Sequence, residues 1–325
     1  MSLEYYIAWW NVENLFDIEN SQLRIPILQD ILADELIGWD TNILDLKIAQ
    51  LVDIIQNMNN GLGPDILGVC EVENESVLSK LANAINLPNR KYEIAHHDGS
   101  DQRGIEVGFI FDENKFIKGN DYSHVVLLRY PTRDIFMVEF TTKTNNRNEI
   151  IIIGNHWPAR TNCSLFDEPY RIVAAESLVY WHSQIRKTKC ENTPILVMGD
   201  FNDEPFNRSM TQYLLSSRSK QKVKFSSNDK PRLFNLMWNR MGEEYESYYY
   251  NNNPLMVDQF LVSRGFLDRN SAFSVDQNSV EIIHYPRMTK GRYYKTPKRF
   301  GRPSKGLDLT GYSDHFPIGM KIIEE

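Results

Sequence analysis

The chain has 325 residues, 42% hydrophobic and 24% charged, enough for one large globular domain or two modest ones. Seventeen Gly and fourteen Pro exclude a collagen-like or low-complexity chain, and no run approaches the roughly 18 apolar residues of a membrane-crossing helix. Cys70, Cys163 and Cys190 are too few for a disulfide framework and lack zinc spacing, while a net charge of −7 argues against electrostatic coating of nucleic acid.

The opening segment has no basic stretch ahead of a long apolar core. Glu4 comes early, and residues 5–10 are too short a run. The chain is therefore expected to be cytoplasmic by default, or secreted if a leader has been removed ahead of Met1-Ser2-Leu3. Short apolar runs predict strands at 5–12, 65–72, 107–111, 135–141, 150–156, 195–201, 257–262 and 316–323. Three- and four-residue spacing of Ile43, Leu46, Leu51, Ile54, Ile55 and Met58 predicts a helix over 41–57. Ile172, Ala175, Leu178, Val179, His182 and Ile185 predict another over 168–186, and 76–85 adds a shorter one. His182, on an apolar helix face, reads as a packed histidine. Residues 14–40 and 217–253 are expected to be surface excursions, the second carrying the Tyr248-Tyr249-Tyr250 run. Strands outnumber helices and often follow one another directly, which favours a single α+β sandwich domain, 1–325, over a βαβ repeat.

Charge is unevenly spread. Between Tyr285 and Leu307 there are eight bases and no acid, leaving the rest of the chain at −15. Tyr285, Tyr293, Tyr294 and Phe300 are interleaved with Lys298, Arg299, Arg302 and the other bases, as where nucleobases stack and phosphates meet cations. The competing reading is a solvated surface loop.

Polar residues collect where the apolar runs end: Asn11 and Glu13, Glu71, Asn155 and His156, Asp200 and Asn202. Asp258 opens another run, and Asp314-His315 precedes the last. A carboxylate in an apolar strand is costly to bury unless it is paired or holds a metal. Six such positions suggest one rim where two sheets meet. Hard oxygen donors without a cysteine or histidine pair favour Mg²⁺ or Mn²⁺, and a metal plus a positioned base is the minimum for hydrolysing a phosphate ester.

The segments Trp10-Asn11-Val12-Glu13-Asn14-Leu15-Phe16, Val69-Cys70-Glu71-Val72-Glu73, Asn155-His156-Trp157-Pro158-Ala159-Arg160, Gly199-Asp200-Phe201-Asn202-Asp203, Val257-Asp258-Gln259-Phe260 and Tyr312-Ser313-Asp314-His315-Phe316 occur in that order. Together they resemble the endonuclease/exonuclease/phosphatase superfamily, the deoxyribonuclease-like metal-dependent phosphohydrolases, in a bacterial branch. The resemblance implies a four-layer α+β sandwich of two mixed, mainly antiparallel sheets flanked by helices. It also implies metal contacts from Glu71, Glu13 and Asp314, with Asn11 orienting the nucleophile or the metal's water. His315 and its partner Asp258, Asp200 with Asn202, and His156 are the implied catalytic set, with the general base left open between Asp200 and His315. Arg103, Asn155 and Arg160 are implied substrate contacts.

The expected activity is hydrolysis of nucleic-acid phosphodiesters by in-line water attack, carried out by a monomer. The alternatives are a phosphatase or phosphodiesterase on a small or lipid phosphoester, such as an inositol phosphate or a sphingomyelin-like headgroup, and a binding module that has lost its chemistry. No motif residue is missing to favour the last.

Overall fold

A computed structural model describes residues 2–97, 104–129, 131–160, 164–292 and 295–325, without the side chains of 164–166. Strand β1 (Leu3–Leu15) is followed by α1 (Pro26–Leu32), α2 (Thr41–Gly61), β2 (Ile66–Val72) and α3 (Glu75–Ala84). Five strands come next: β3 (Tyr92–His96), β4 (Glu106–Asp112), β5 (Phe116–His124), β6 (Ile135–Thr142) and β7 (Glu149–His156). Helix α4 (Ser164–Thr188) leads to β8 (Ile195–Asp200). A less regular stretch holds β9 (Ser216–Ser217), α5 (Lys220–Lys224), β10 (Leu233–Asn235) and a ribbon of β11 (Tyr248–Tyr250) and β12 (Asn253–Leu255). After β13 (Asp258–Val262) and β14 (Phe273–Ile282), the basic segment forms two small ribbons, β15 (Thr289–Lys290) with β16 (Thr296–Pro297) and β17 (Gly301–Arg302) with β18 (Gly306–Leu307). Strand β19 (Ile318–Glu324) ends the chain.

Among the described residues the strands build two large mixed sheets, ordered β14-β19-β1-β2-β4-β3 and β5-β6-β7-β8-β13-β10-β9. Pairs β1–β2, β7–β8 and β9–β10 are parallel and the other pairs antiparallel. All eight expected strands are present, and the sheets pack face to face with helices outside, so the α+β sandwich holds. None of the described helices is long and apolar enough to cross a membrane.

Side-chain alternation explains the layering. On β1, Tyr5, Ile7 and Trp9 enter the core between the sheets, whereas Tyr6, Ala8, Trp10 and Val12 pack outward with α2 and α3. On β7, Ile150 and Ile152 face inward while Ile151 and Ile153 meet α4. Covered on both faces, such strands read as unbroken apolar runs, and each large side chain removed from water contributes about 1.5–3 kcal/mol. Asp40 caps α2 by accepting from the Ile43 N–H, and Asn74 caps α3 from that of Val77. Helical geometry in α2 stops at Asn57, because Met58 turns extended and Asn59 and Asn60 adopt φ of 50° and 56°.

Residues 14–40 depart from the expected surface excursion. Phe16, Leu28, Leu32, Leu36 and Trp39 form a small core of their own with Ile105 and Phe300. Buried Arg24 ties this unit to the end of β2: Nε donates to Glu73 Oε1 at 2.7 Å and a terminal nitrogen to Oε2 at 2.8 Å. Glu73 is thus committed to an ion pair with Arg24.

His182 is packed as expected, 1% exposed, with neither ring nitrogen hydrogen-bonded. Burial, helped by the Arg186 charge, lowers its pKa from 6.5 to about 3. The unfolded imidazole takes up a proton below about 6.5 and the folded one does not, so acid favours unfolding between those values. Denaturant melts from neutral pH down to about pH 5 should show stability falling, and His182→Leu should make that fall shallower. An unchanged pH slope in the variant would refute this account of His182.

Candidate active site

The same alternation that fills the core delivers the polar residues to one end of it. Asn11 follows Tyr5, Ile7 and Trp9 on the inner face of β1; Asp200 follows Leu196 and Met198 on β8; Asp258 precedes Phe260 and Val262 on β13. In the second sheet His156, Asp200 and Asp258 stand side by side, since His156 pairs with Asp200 across β7–β8 and Asp258 with Asp200 across β8–β13. Gly199 allows this approach, because a Cβ there would lie 2.4 Å from the Asn155 carbonyl oxygen.

Glu71 reaches the rim by another device. Strict alternation on β2 would turn it outward with Leu67 and Val69. Instead its φ is +66° and the β2–β4 register shifts between Cys70 and Val72, which rolls the carboxylate toward Asn11. Glu13, Asn14 and Asn202 also have positive φ, of 53°, 52° and 49°. Such non-glycine conformations cost about 1–3 kcal/mol each and persist where the surroundings over-determine them.

The two sheets meet through Asn11. Its Nδ2 donates to Glu71 Oε1 at 3.2 Å and to Asp200 Oδ2 at 3.1 Å. The Asn14 N–H holds Glu71 Oε2 at 2.9 Å, and the Asn202 N–H holds Asp200 Oδ1 at 2.9 Å. His156 Nε2 is 3.8 Å from both Glu71 Oε1 and Asp200 Oδ2, and His315 Nε2 is 3.8 Å from Asp200 Oδ2. Asp258 fixes the His315 ring, with Oδ2 2.7 Å from Nδ1, while its Oδ1 accepts from Trp9 Nε1 at 3.0 Å.

Asp200, Asp258 and His315 offer ligand atoms within 4.8 Å of one another. Both Asp258 oxygens are already engaged, however, which suits an orienting role better than a ligand's. Burial and then the Asp258 charge push the Asp200 carboxyl up. Burial alone would lower His315, yet the charges of Asp258 and Asp200 and the Asp258 hydrogen bond hold it well above its ordinary value. Asp314 is raised by burial and by the charges of Glu13 and Glu71. A surplus of hard carboxylate oxygens, held close against their own repulsion, fits a divalent cation of the Mg²⁺ or Mn²⁺ type.

The family model that matches the chain, over residues 6–324, is that of the endonuclease/exonuclease/phosphatase family. The chain belongs to that family. Among curated proteins, none matches it in sequence. Similar solved structures include an endonuclease/exonuclease/phosphatase family protein from Bacteroides thetaiotaomicron, at 15% identity and TM-score 0.58, covering 100% of this chain and 99% of that one. A mannosyl-6-phosphatase from the same organism follows at 14% and 0.57, covering 98% and 99%. D. rerio TDP2 complexed with a single-strand DNA product is similar at 12% and 0.59, covering 98% of each chain. At these identities the likeness concerns the fold. Family membership sets the chain among phosphoester hydrolases.

Within this endonuclease/exonuclease/phosphatase fold, Asn11, Glu71, His156, Asp200, Asn202, Asp258 and His315 gather as the sequence suggested. Other expectations are revised. Glu13 is wholly buried, and its carboxylate accepts from Arg299 Nε and from the Phe300 and Gly301 N–H groups. Asn155 alternates away from the rim and its Oδ1 accepts from Trp157 Nε1 at 3.2 Å, so it does not face a substrate. Arg160 braces the Asn202 turn, donating to the Asn202 carbonyl at 2.7 Å and to Asp203 at 3.0 Å. Lys298 bonds Thr310, and Arg302 pairs with Glu35 at 2.6 Å. Arg103 lies outside the described residues.

Three residues escaped the sequence reading. Arg133, 5% exposed, brings its guanidinium to 2.9 Å from His156 Nε2 and 3.2 Å from Nδ1; a lone arginine in a polar loop carries no sequence signal. Lys47, fully buried, donates to the Tyr312 carbonyl, and burial, offset by Glu13, Asp314 and Glu71, lowers it to about 8. A lysine on the buried stripe of Leu44, Ile48 and Leu51 was the available clue. Tyr248, from the supposed excursion, stacks on His315 with centroids 4.6 Å apart.

If Asp258 sets the His315 ring, Asp258→Asn should lower kcat by about 10²–10⁴ while leaving the fold intact. Steady-state kinetics with a matched circular-dichroism spectrum would check this, and a decrease under threefold would remove Asp258 from the machinery.

Proposed function

We propose that the chain is a divalent-metal-dependent nuclease that hydrolyses nucleic-acid phosphodiesters by in-line attack of water. Glu71 would hold the cation, with Asp314 beside it. The cation would supply Lewis-acid polarisation of a phosphoryl oxygen. Asn11, already bonded to Glu71 and Asp200, would fix the attacking water. Asp200, with its raised carboxyl and Asn202 behind it, is the better proton acceptor of the two candidates. His315, held toward its charged form by Asp258, is better suited to donate to a nonbridging oxygen than to take a proton. His156, backed by Arg133, would stabilise charge on the other oxygens.

The observation that carries the nucleic-acid reading is the docking of the basic segment on the rim: Arg299 pairs with Glu13 and Arg302 lies 3.3 Å from the Asn14 side chain. Lys290, Lys295 and Lys305 remain exposed along the same strap. A compact phosphoester is the second reading, favoured by the number of bases already spent on acids of this chain: Arg287 on Asp53, Arg299 on Glu13 and Arg302 on Glu35.

Plasmid DNA, abasic duplex, single strands, nucleotides and inositol phosphates, each with Mg²⁺, separate these readings. DNA cleavage that falls steeply with salt supports the nuclease, since every phosphate that the protein neutralises adds about 0.7–0.9 to the log–log slope of affinity against salt. Turnover of small phosphomonoesters alone would overturn it. Chelation should abolish activity, and Glu71→Gln should weaken Mn²⁺ binding at least about tenfold by calorimetry. Unchanged Mn²⁺ affinity would exclude Glu71 as the ligand.

A further inference from the structure

The environment of Glu13 gives it a different task from the one expected of a metal ligand. Its carboxylate is saturated by donors from the basic segment: Arg299 Nε at 2.9 Å and Gly301 N at 3.2 Å on Oε1, Phe300 N at 2.8 Å on Oε2. The segment is braced on every side of that contact. The Phe300 ring meets Trp39 edge-on at 5.8 Å, Lys47 Nζ stands 5.0 Å over its face, and the Lys298 carbonyl accepts from the Tyr312 N–H at 2.6 Å. At Gly301, φ is +80° and an added Cβ would lie 2.2 Å from the Gly306 carbonyl oxygen, so the turn closes too tightly for any other residue.

The product of this bracing is a fixed guanidinium. The Arg299 side chain is 44% exposed, and Glu13 engages only its Nε. Among the described residues its two terminal nitrogens make no hydrogen bond within the chain and remain available to an acceptor. Glu13 adjoins Asn14, whose N–H holds Glu71 Oε2 at 2.9 Å, so the guanidinium paired with Glu13 stands beside the Glu71 site rather than on a remote surface. A planar donor pair held in place suits a phosphate better than a mobile lysine does.

We propose that Glu13 is a positioning residue, and that through it Arg299 forms a subsite for a second phosphate flanking the scissile one. This rests on the phosphoesterase reading of the Glu71 site and narrows its substrates to those carrying an adjacent phosphate.

The test compares a dinucleotide bearing a terminal phosphate with the same dinucleotide lacking it, and measures Mn²⁺ affinity separately. The wild-type chain should prefer the phosphorylated probe in kcat/KM by about tenfold, the worth of a charge-assisted contact. Glu13→Gln and Arg299→Ala should each erase most of that preference, mainly through KM. The double variant should lose no more than either alone, and Arg299→Lys should restore part of it. Mn²⁺ affinity should stay within about twofold in Glu13→Gln. The proposal is overturned if Glu13→Gln weakens Mn²⁺ binding as Glu71→Gln does, or if Arg299→Ala, with a circular-dichroism spectrum matching the wild type, keeps the preference. Mn²⁺ affinity that Glu71→Gln leaves unchanged would instead count against the phosphoesterase site, and the Glu13–Arg299 pair would still be decided by the probe comparison.

Discussion

One amide joins the two sheets at the reactive end of the molecule. Asn11 Nδ2 lies between Glu71 of the first sheet and Asp200 of the second, two carboxylates that would otherwise repel each other. Their separation is therefore set by core packing and not by mutual attraction. The sheets are held face to face by Trp9, Phe109, Met198 and Phe260, and the acids at the rim must accept that spacing. Burial, followed by the neighbouring charges of Asp258 on Asp200 and of Glu13 and Glu71 on Asp314, raises both carboxyls. A cation placed among them would relieve the strain that the hydrophobic core imposes.

Backbone strain serves the same end. Glu71 and Asn202 both occupy left-handed φ at the ends of otherwise regular strands. Each supplies a polar group to the rim that strand alternation would have aimed elsewhere or left untethered. The stored cost is small beside the burial of two apolar sheets, which is why the fold tolerates it. Around this centre, neutral and cationic groups are graded: Trp9 on Asp258, Asp258 on His315, Tyr248 across the ring, and Arg133 behind His156.

Legibility in the sequence followed burial. Strands covered on both faces, such as Ile150–His156 within β7, declared themselves as apolar runs. Of the strands in the two large sheets that went unread, β3, β5, β9 and β14 are edges, and β10 is an interior strand of only three residues. Edge strands exposed to water carry polar and charged residues to discourage further pairing, as in Phe-Ile-Lys-Gly-Asn-Asp-Tyr-Ser-His, so no apolar period marks them. At the site, residues set in ordered motifs were found because their spacing is local. Lys47, Arg133 and Tyr248 were not, since each reaches the rim from a distant segment through tertiary packing alone. Glu13 was legible as a rim residue but not as the anchor of a strap nearly three hundred positions later. Glu71 was legible as a rim residue although its left-handed turn is invisible to alternation.

The central claim is that Glu71, Asp200 and His315, brought together from different segments, surround one cation and one phosphorus. Anomalous diffraction from a crystal grown with Mn²⁺ tests it most directly. The account predicts a peak bonded to the Glu71 carboxylate at about 2.1 Å, on the side facing Asp200. A peak seated instead on Asp258 and His315, or none at the rim under saturating Mn²⁺, would contradict it.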